Sequence, residues 1–305
     1  MNDANRAALA AALARPAWQA TRYELLPIAG MQEAAGALPE GAVVTVTCSP
    51  RHGLERTLEA TEWLAGAGFR VVPHLAARLV RDRAHLERLL GRLAVVGVDD
   101  AFVVGGDAER PVGAYPHGRA LLEAMAGLTQ RPARLGVPAY PEGHHRIGAA
   151  DLQHDLEAKA ALADYAVTQL CFEARPLQAW RERQRRLGLS LPVHAGIPGV
   201  MEPRRLLAIA LRLGLGPSVR SLRRRSGWVA RLLRPADYRP EALVEELRPA
   251  LGDLAGGFVG LHVYTFNRVE PTRRWLEGLQ DRVPIRASAD EPDAQAATPA
   301  GEPLA

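Results

Sequence analysis

The chain has 305 residues, of which 48% are hydrophobic and 24% charged, and its formal net charge is +4. These proportions belong to a globular chain long enough for one large domain or two ordinary ones. They exclude a disulfide framework, with only Cys48 and Cys171 available, and a membrane span, since every apolar run is far shorter than the roughly 20 residues required.

The first segment, residues 1–18, is Ala-rich without a cleavage pattern, so a short helix is expected there, not a secretory signal, and the expected location is cytoplasmic. Eight short apolar, β-branched segments follow at 21–27, 42–49, 69–76, 101–107, 134–142, 165–172, 191–198 and 258–267. Helical periodicity occupies the intervals, over about 54–66, 82–96, 117–128, 150–163, 175–187, 203–213 and 270–280. Strand–helix alternation carried through eight strands predicts an α/β chain of the (β/α)8 TIM-barrel type, with extra helices between strands seven and eight, where residues 199–257 intervene. A doubly wound open sheet is the alternative; it is disfavoured because no Gly-rich dinucleotide fingerprint follows the first strand. Residues 1–284 are expected to form this single domain, and the Ala-, Pro- and acid-rich tail 285–305 to be disordered.

The stretch 219–234 is strongly basic. A solvated helical extension of the barrel accounts for it, as does attraction of a polyanionic substrate tail. A nucleic-acid partner is disfavoured, because Trp228 is its only aromatic residue. Assembly into a homo-oligomer is compatible with the sequence and is not specified by it.

Barrels carry their chemistry at the C-terminal ends of the strands. Those ends supply Glu24, Thr47, His74, Asp107, Tyr140 with Glu142 and His144, Gln169, and Tyr264 with Arg268. Glu24 is the unusual member, a carboxylate between Tyr23 and Leu25. Apolar flanks desolvate a carboxyl and raise its pKa, which suits proton donation near neutral pH; an ion pair with a nearby Arg is the structural alternative. No metal is expected, since His144, His145 and Glu142 match no closed zinc spacing. Of the 38 basic residues all but Lys159 are Arg. GC-rich coding accounts for the excess of Arg but not for the one Lys retained, and the two side chains differ in shape and hydration. Lys159 falls in a predicted helix, where Asp155 can pair with it one turn away.

Seven of these pieces, in order, resemble the methylenetetrahydrofolate reductase family over roughly 21–280: "YELLP" (23–27), "VTVT" (44–47), "PHLA" (73–76), "GGD" (105–107), "AYPEGHH" (139–145), "VTQLCFE" (167–173) and "GLHVYTFNR" (260–268). The resemblance implies an oxidoreductase of one-carbon metabolism that reduces 5,10-methylenetetrahydrofolate to 5-methyltetrahydrofolate with NAD(P)H through FAD. A folate and a nicotinamide dinucleotide would be its partners. Carried over residue by residue, Glu24 matches the general acid and Asp107 the carboxylate beside flavin and pterin. Gln169, Arg268 and Tyr264 match folate-site positions. Thr47, His74, Gly106, Asp107, Tyr140, His144 and Lys159 match cofactor-site positions, and Asp151 lies one residue from the family's ribityl-contacting Asp. The departures are Gly105, where flavin members carry Arg, Cys48–Ser49 after Thr47, "HLAA" at 74–77, and Ile28 for a second Pro. Two routes stay open, hydride through FAD and hydride directly from the nicotinamide, beside a barrel that binds folate without catalysis.

Overall fold

The computed structural model describes residues 21–212, 239–252 and 257–280. Eight parallel strands close into a barrel in sequence order: β1 (Arg22–Leu25), β2 (Val43–Val46), β3 (Arg70–Ala76), β4 (Asp100–Val104), β5 (Arg134–Ala139), β6 (Tyr165–Thr168), β7 (Val193–Pro198) and β8 (Gly260–Tyr264). Each overlaps a segment expected from the sequence. The outer layer holds α1 (Met31–Gly36), α2 (Gly53–Gly66), α3 (Arg83–Val95), α4 (Gly118–Met125), α5 (Ala149–Ala160), α6 (Ala174–Arg186), α7 (Pro203–Arg212), α8 (Glu241–Leu247) and α9 (Val269–Gln280). The extra helical structure between β7 and β8 is present as α7, α8 and a 3₁₀ turn at Arg248–Ala250. The expected N-terminal helix, the basic stretch 219–234 and the C-terminal tail lie outside the described residues.

Successive strand residues point to opposite faces, so each strand serves two cores. In β1, Tyr23 and Leu25 join the large apolar layer beneath the helices, while Arg22 and Glu24 turn into the barrel. The helices answer with apolar stripes; α2 buries Leu54, Leu58, Thr61 and Leu64. Their starts are fixed by side-chain caps at two places. Asp82 accepts from the His85 amide at 2.7 Å before α3, and His117 Nδ1 accepts from the Ala120 amide at 3.2 Å before α4.

Inside the barrel, large rings lie over glycines. A Cβ at Gly136 would lie 2.3 Å from the Tyr165 ring, and one at Gly196 would lie 2.9 Å from that of Tyr264, so both strands must present bare backbone there. At the level of Tyr165 the interior is charged. Arg22 Nη2 donates to Asp100 Oδ2 at 3.2 Å, the Tyr165 hydroxyl donates to Asp100 Oδ1 at 2.7 Å, and the guanidinium sits 4.1 Å from the Tyr165 ring centroid. Removing one partner of such a buried pair strands the other charge and costs about 3–5 kcal/mol. The seam between the last strand and the first is tied by side chains. Asn267 Oδ1 accepts from the Leu26 amide at 2.8 Å, Asn267 Nδ2 donates to the Leu26 carbonyl at 3.0 Å, and the Thr265 hydroxyl donates to the Glu24 carbonyl at 2.5 Å. Phe266 and Asn267 reach this position with φ of 49° and 64°, the left-handed region that Asn tolerates and Phe rarely adopts.

Candidate active site

Strand β1 delivers Glu24 to the barrel interior one residue before the strand ends, where its side chain remains 8% exposed. Tyr264 of β8 is its register partner. Among the described residues no Arg pairs with it, and the guanidinium of Arg22, two residues away on the same strand, is bound to Asp100. Its partners are imidazoles: His262 Nε2 lies 3.2 Å from Glu24 Oε2, and His74 Nε2 lies 3.9 Å from the same oxygen. Burial raises the Glu24 carboxyl from the ordinary carboxylate range to about 7, against a smaller lowering by His74. Burial likewise lowers His74 to about 4 and, with the charge of Arg22, lowers His262 to about 3. Near neutral pH the cluster is therefore a carboxyl close to its midpoint flanked by two neutral imidazoles. His74 also packs against Phe102, with centroids 4.9 Å apart.

The other expected residues divide between this floor and the rim. Tyr264 caps the floor, its ring 4.8 Å from that of His262 and its hydroxyl donating to the Thr168 carbonyl at 3.0 Å; burial pushes its phenol well up. Thr47 follows β2, with its amide donating to the Leu25 carbonyl and its carbonyl accepting from the Thr57 hydroxyl. Asp107 stands on the loop after β4 with 83% of its side chain exposed, 4.0 Å from Arg146. Tyr140 and His144 meet edge-on at 5.2 Å near it; burial, then Asp107 and Asp155, push the Tyr140 hydroxyl up to about 12. Gln169 folds its Oε1 onto the Leu170 amide at 2.8 Å. Arg268 pairs with Glu202 at 3.4 Å. Asp151 is exposed in the first turn of α5, away from the floor.

Neither cysteine is poised as a nucleophile. Burial raises both thiols, and Glu142 raises that of Cys171 further. A cleft of about 210 Å³ between α5 and α6, lined by Tyr140, Glu142, Gln153, Trp180 and Arg183, lies beside the mouth; Glu24 and His262 do not line it.

His262 and the Arg22–Asp100–Tyr165 group are functional-looking residues that sequence reasoning passed over. His262 could have been found, because it lies two residues before Tyr264 and so shares its inward face.

The fold and site thus define a (β/α)8 barrel that buries an acid–imidazole cluster at the strand ends where such barrels carry chemistry. The family model described as methylenetetrahydrofolate reductase matches residues 31–212, more than half of the chain, and the chain belongs to that family. Membership supports a folate-related, reductase-like function. Among solved structures, a protein described as a lyase/mutase from Burkholderia cenocepacia J2315 is 16% identical with a TM-score of 0.45, over 91% of this chain and 85% of that one. Dihydropteroate synthase (FolP) from Thermus thermophilus is 16% identical with a TM-score of 0.42, over 88% and 95%. Muconate lactonizing enzyme from Pseudomonas putida is 14% identical with a TM-score of 0.36, over 60% and 47%. Similarity at this level carries no functional information. Among the described residues no helix is long and apolar enough to cross a membrane.

The family's FAD can be tested against the residues present. Gly106, at φ +88° with a would-be Cβ 3.1 Å from that of Ala76, keeps bare backbone at the rim. The cations do not follow. Gly105 offers no side chain, although a Cβ there would meet only the Gly118 amide nitrogen, at 4.0 Å. The side chain of Lys159 is only 6% exposed, paired to Asp155 and packed with its Cε 3.6 Å from where a Gly118 Cβ would stand. Arg78, whose backbone amide donates to the Gly105 carbonyl, spends its guanidinium on the carbonyls of Pro116 and Ala108. The positions matched to the family's flavin-site cations therefore do not fit that role. The close quarters around Lys159 also account for Lys over Arg, whose planar fork is bulkier.

The shifts around Glu24 give a stability test. A folded-state pKa of about 7 lies above the unfolded value of 4.5, so Glu24 binds a proton in the fold that the unfolded chain has released. Stability from this group is full below pH 4.5 and is lost as pH rises through about 7. Glu24→Gln should gain stability relative to the parent across that window, by roughly 3 kcal/mol at its top. Denaturant unfolding at pH 4.5 and pH 8 checks this; an equal difference at both pH values would contradict it.

Proposed function

We propose that this barrel reduces 5,10-methylenetetrahydrofolate to 5-methyltetrahydrofolate with hydride taken directly from NAD(P)H, and that Glu24 supplies the proton. One observation carries the reading: a buried carboxyl at about 7 at the catalytic end of a barrel of this family. An acid whose pKa lies near the working pH both holds its proton and releases it readily. Glu24 protonates the ring nitrogen of the folate, the adjacent carbon–nitrogen bond opens to an iminium, and hydride adds to the iminium carbon to give the methyl group. One proton and one hydride are added, and NAD(P)⁺ departs. Arg268, Gln169 and Tyr264 hold the folate, an Arg being suited to bidentate pairing with a carboxylate tail. Thr47, His74, Gly106, Tyr140, His144 and Asp107 border the space for the nicotinamide; Asp151 and Lys159 serve the helix behind it. No step is routed through FAD, because the matched cation positions do not fit it.

Two measurements test this. Glu24→Gln should lower kcat for folate reduction on the order of 10²–10⁴-fold, the usual contribution of a general acid, while KM for the folate stays close to the parent value. Unchanged turnover would remove Glu24 from the chemistry, and a parent protein that binds folate without turnover would leave a binding barrel. The freshly purified protein should show no flavin absorption band and should turn over with NAD(P)H alone. A bound flavin that is required for activity would overturn the direct route.

A further inference from the structure

The proposed reaction spends the Glu24 proton once per turnover, and substrate covers the mouth while it does so. His262 is buried to 1% exposure, with Nε2 3.2 Å from Glu24 Oε2. Its other ring nitrogen, Nδ1, is buried and has no hydrogen-bonding partner among the described residues. Arg22 Nη1, His194 Nδ1 and Thr45 Oγ1 are in the same condition on inward-facing strand positions. Arg22 is the register partner of His262, and His194 that of Gly260, two residues earlier on the same strand as His262. Polar atoms with open valences in an interior are the ones that ordered water satisfies, and each leaves a proton path where it does.

We propose that His262 returns the proton to Glu24 from the barrel interior, staying neutral and exchanging which of its two ring nitrogens carries hydrogen. A proton arrives at Nδ1 from interior water, and the Nε2 proton passes to Glu24 Oε2. The extra proton of a protonated water leaves its O–H bond and the Nε2–H bond breaks, while an Nδ1–H and a Glu24 O–H form, leaving neutral water, a neutral imidazole and a neutral carboxyl; no electrons are transferred and no charged imidazolium is required. With Glu24 protonated, Nε2 accepts from it and Nδ1 holds the hydrogen. With Glu24 ionised, Nε2–H donates to the carboxylate. His74 is the weaker candidate, 3.9 Å away and packed at a tilt against Phe102.

The surrounding charges favour a neutral ring. From β1, Arg22 opposes protonation of His262, and its own charge is shared with Asp100 of β4 and Tyr165 of β6. His74 of β3 and Tyr264 of β8 face the same carboxyl. Arg134 of β5 bears on the deeper His194 of β7. Burial holds both phenols protonated and both other imidazoles neutral near pH 7. Glu24 is thus the group in this set whose titration His262 must follow. His262 acts through Glu24 and is a positioning and relay residue, not one that touches substrate.

This inference rests on Glu24 as the acid of the proposed reduction, and its primary test needs no substrate. In the full chain with ¹⁵N-labelled histidine, the resonances of His262, identified among the nine histidines by their loss in His262→Gln, report its tautomer. They should move from the Nδ1–H to the Nε2–H pattern with a midpoint near 7, in step with Glu24, and show no imidazolium. In Glu24→Gln the pH-driven exchange should vanish. A ring that keeps one tautomer throughout, or changes equally in Glu24→Gln, overturns the proposal. His262→Gln keeps an amide donor for Glu24 but no relay; its kcat should fall about 10²-fold with KM little changed, and part of the loss should be recovered by small carboxylic-acid buffers. A His262→Gln protein with parental kcat also overturns the relay. If the parent lacks folate turnover, the proposed function fails, and the tautomer titration still decides the proton couple.

Discussion

A carboxyl enclosed in a barrel must keep its proton or find a cation, and the arrangement around Glu24 denies it the cation. Arg22, two residues away on the same strand, is bound to Asp100 and covered by Tyr165. Burial, and after it the charge of Arg22, keeps His262 and His194 neutral in the same interior. A neutral histidine contacting a half-titrated carboxyl follows from that separation of charges.

The barrel supplies the rigidity this requires. Parallel strands place Glu24, His262 and Tyr264 on adjoining inward positions. Glycines at 136 and 196 admit the rings of Tyr165 and Tyr264. The Asn267 and Thr265 bonds hold β1 against the end of β8, so the acid and its imidazole partner sit on two strands tied by side chains as well as by backbone. The rim is built differently. Asp107 and Asp151 stand in solvent, and Tyr140 and His144 make ring contacts with each other. A ligand would have to organise this rim, whereas the floor is organised by the fold.

Much of this was legible in the residue order. Short apolar, β-branched segments and the helices between them gave every strand of the barrel, because each strand is buried on both faces and each helix on one. Glu24 stood out as a carboxylate flanked by Tyr23 and Leu25, and burial does raise its pKa. What escaped were contacts between residues far apart in the chain. Arg22 and Asp100 meet across 78 positions, and Glu24 and His262 across 238, distances over which periodicity carries no signal. The short helix α1 was too brief for a full apolar stripe. Lys159 was legible as half of an i,i+4 pair with Asp155, but its enclosure beside Gly118 depended on how α4 and α5 pack.

The claim on which the rest turns is that Glu24 holds a proton near neutral pH in the folded, unliganded protein. Infrared difference titration of the parent against Glu24→Gln measures it directly, through the carbonyl stretch of a protonated carboxyl. The account predicts a band missing from the variant that is lost with a midpoint near 7 as pH rises. A band lost near 4.5, the ordinary value for a Glu side chain, would contradict it.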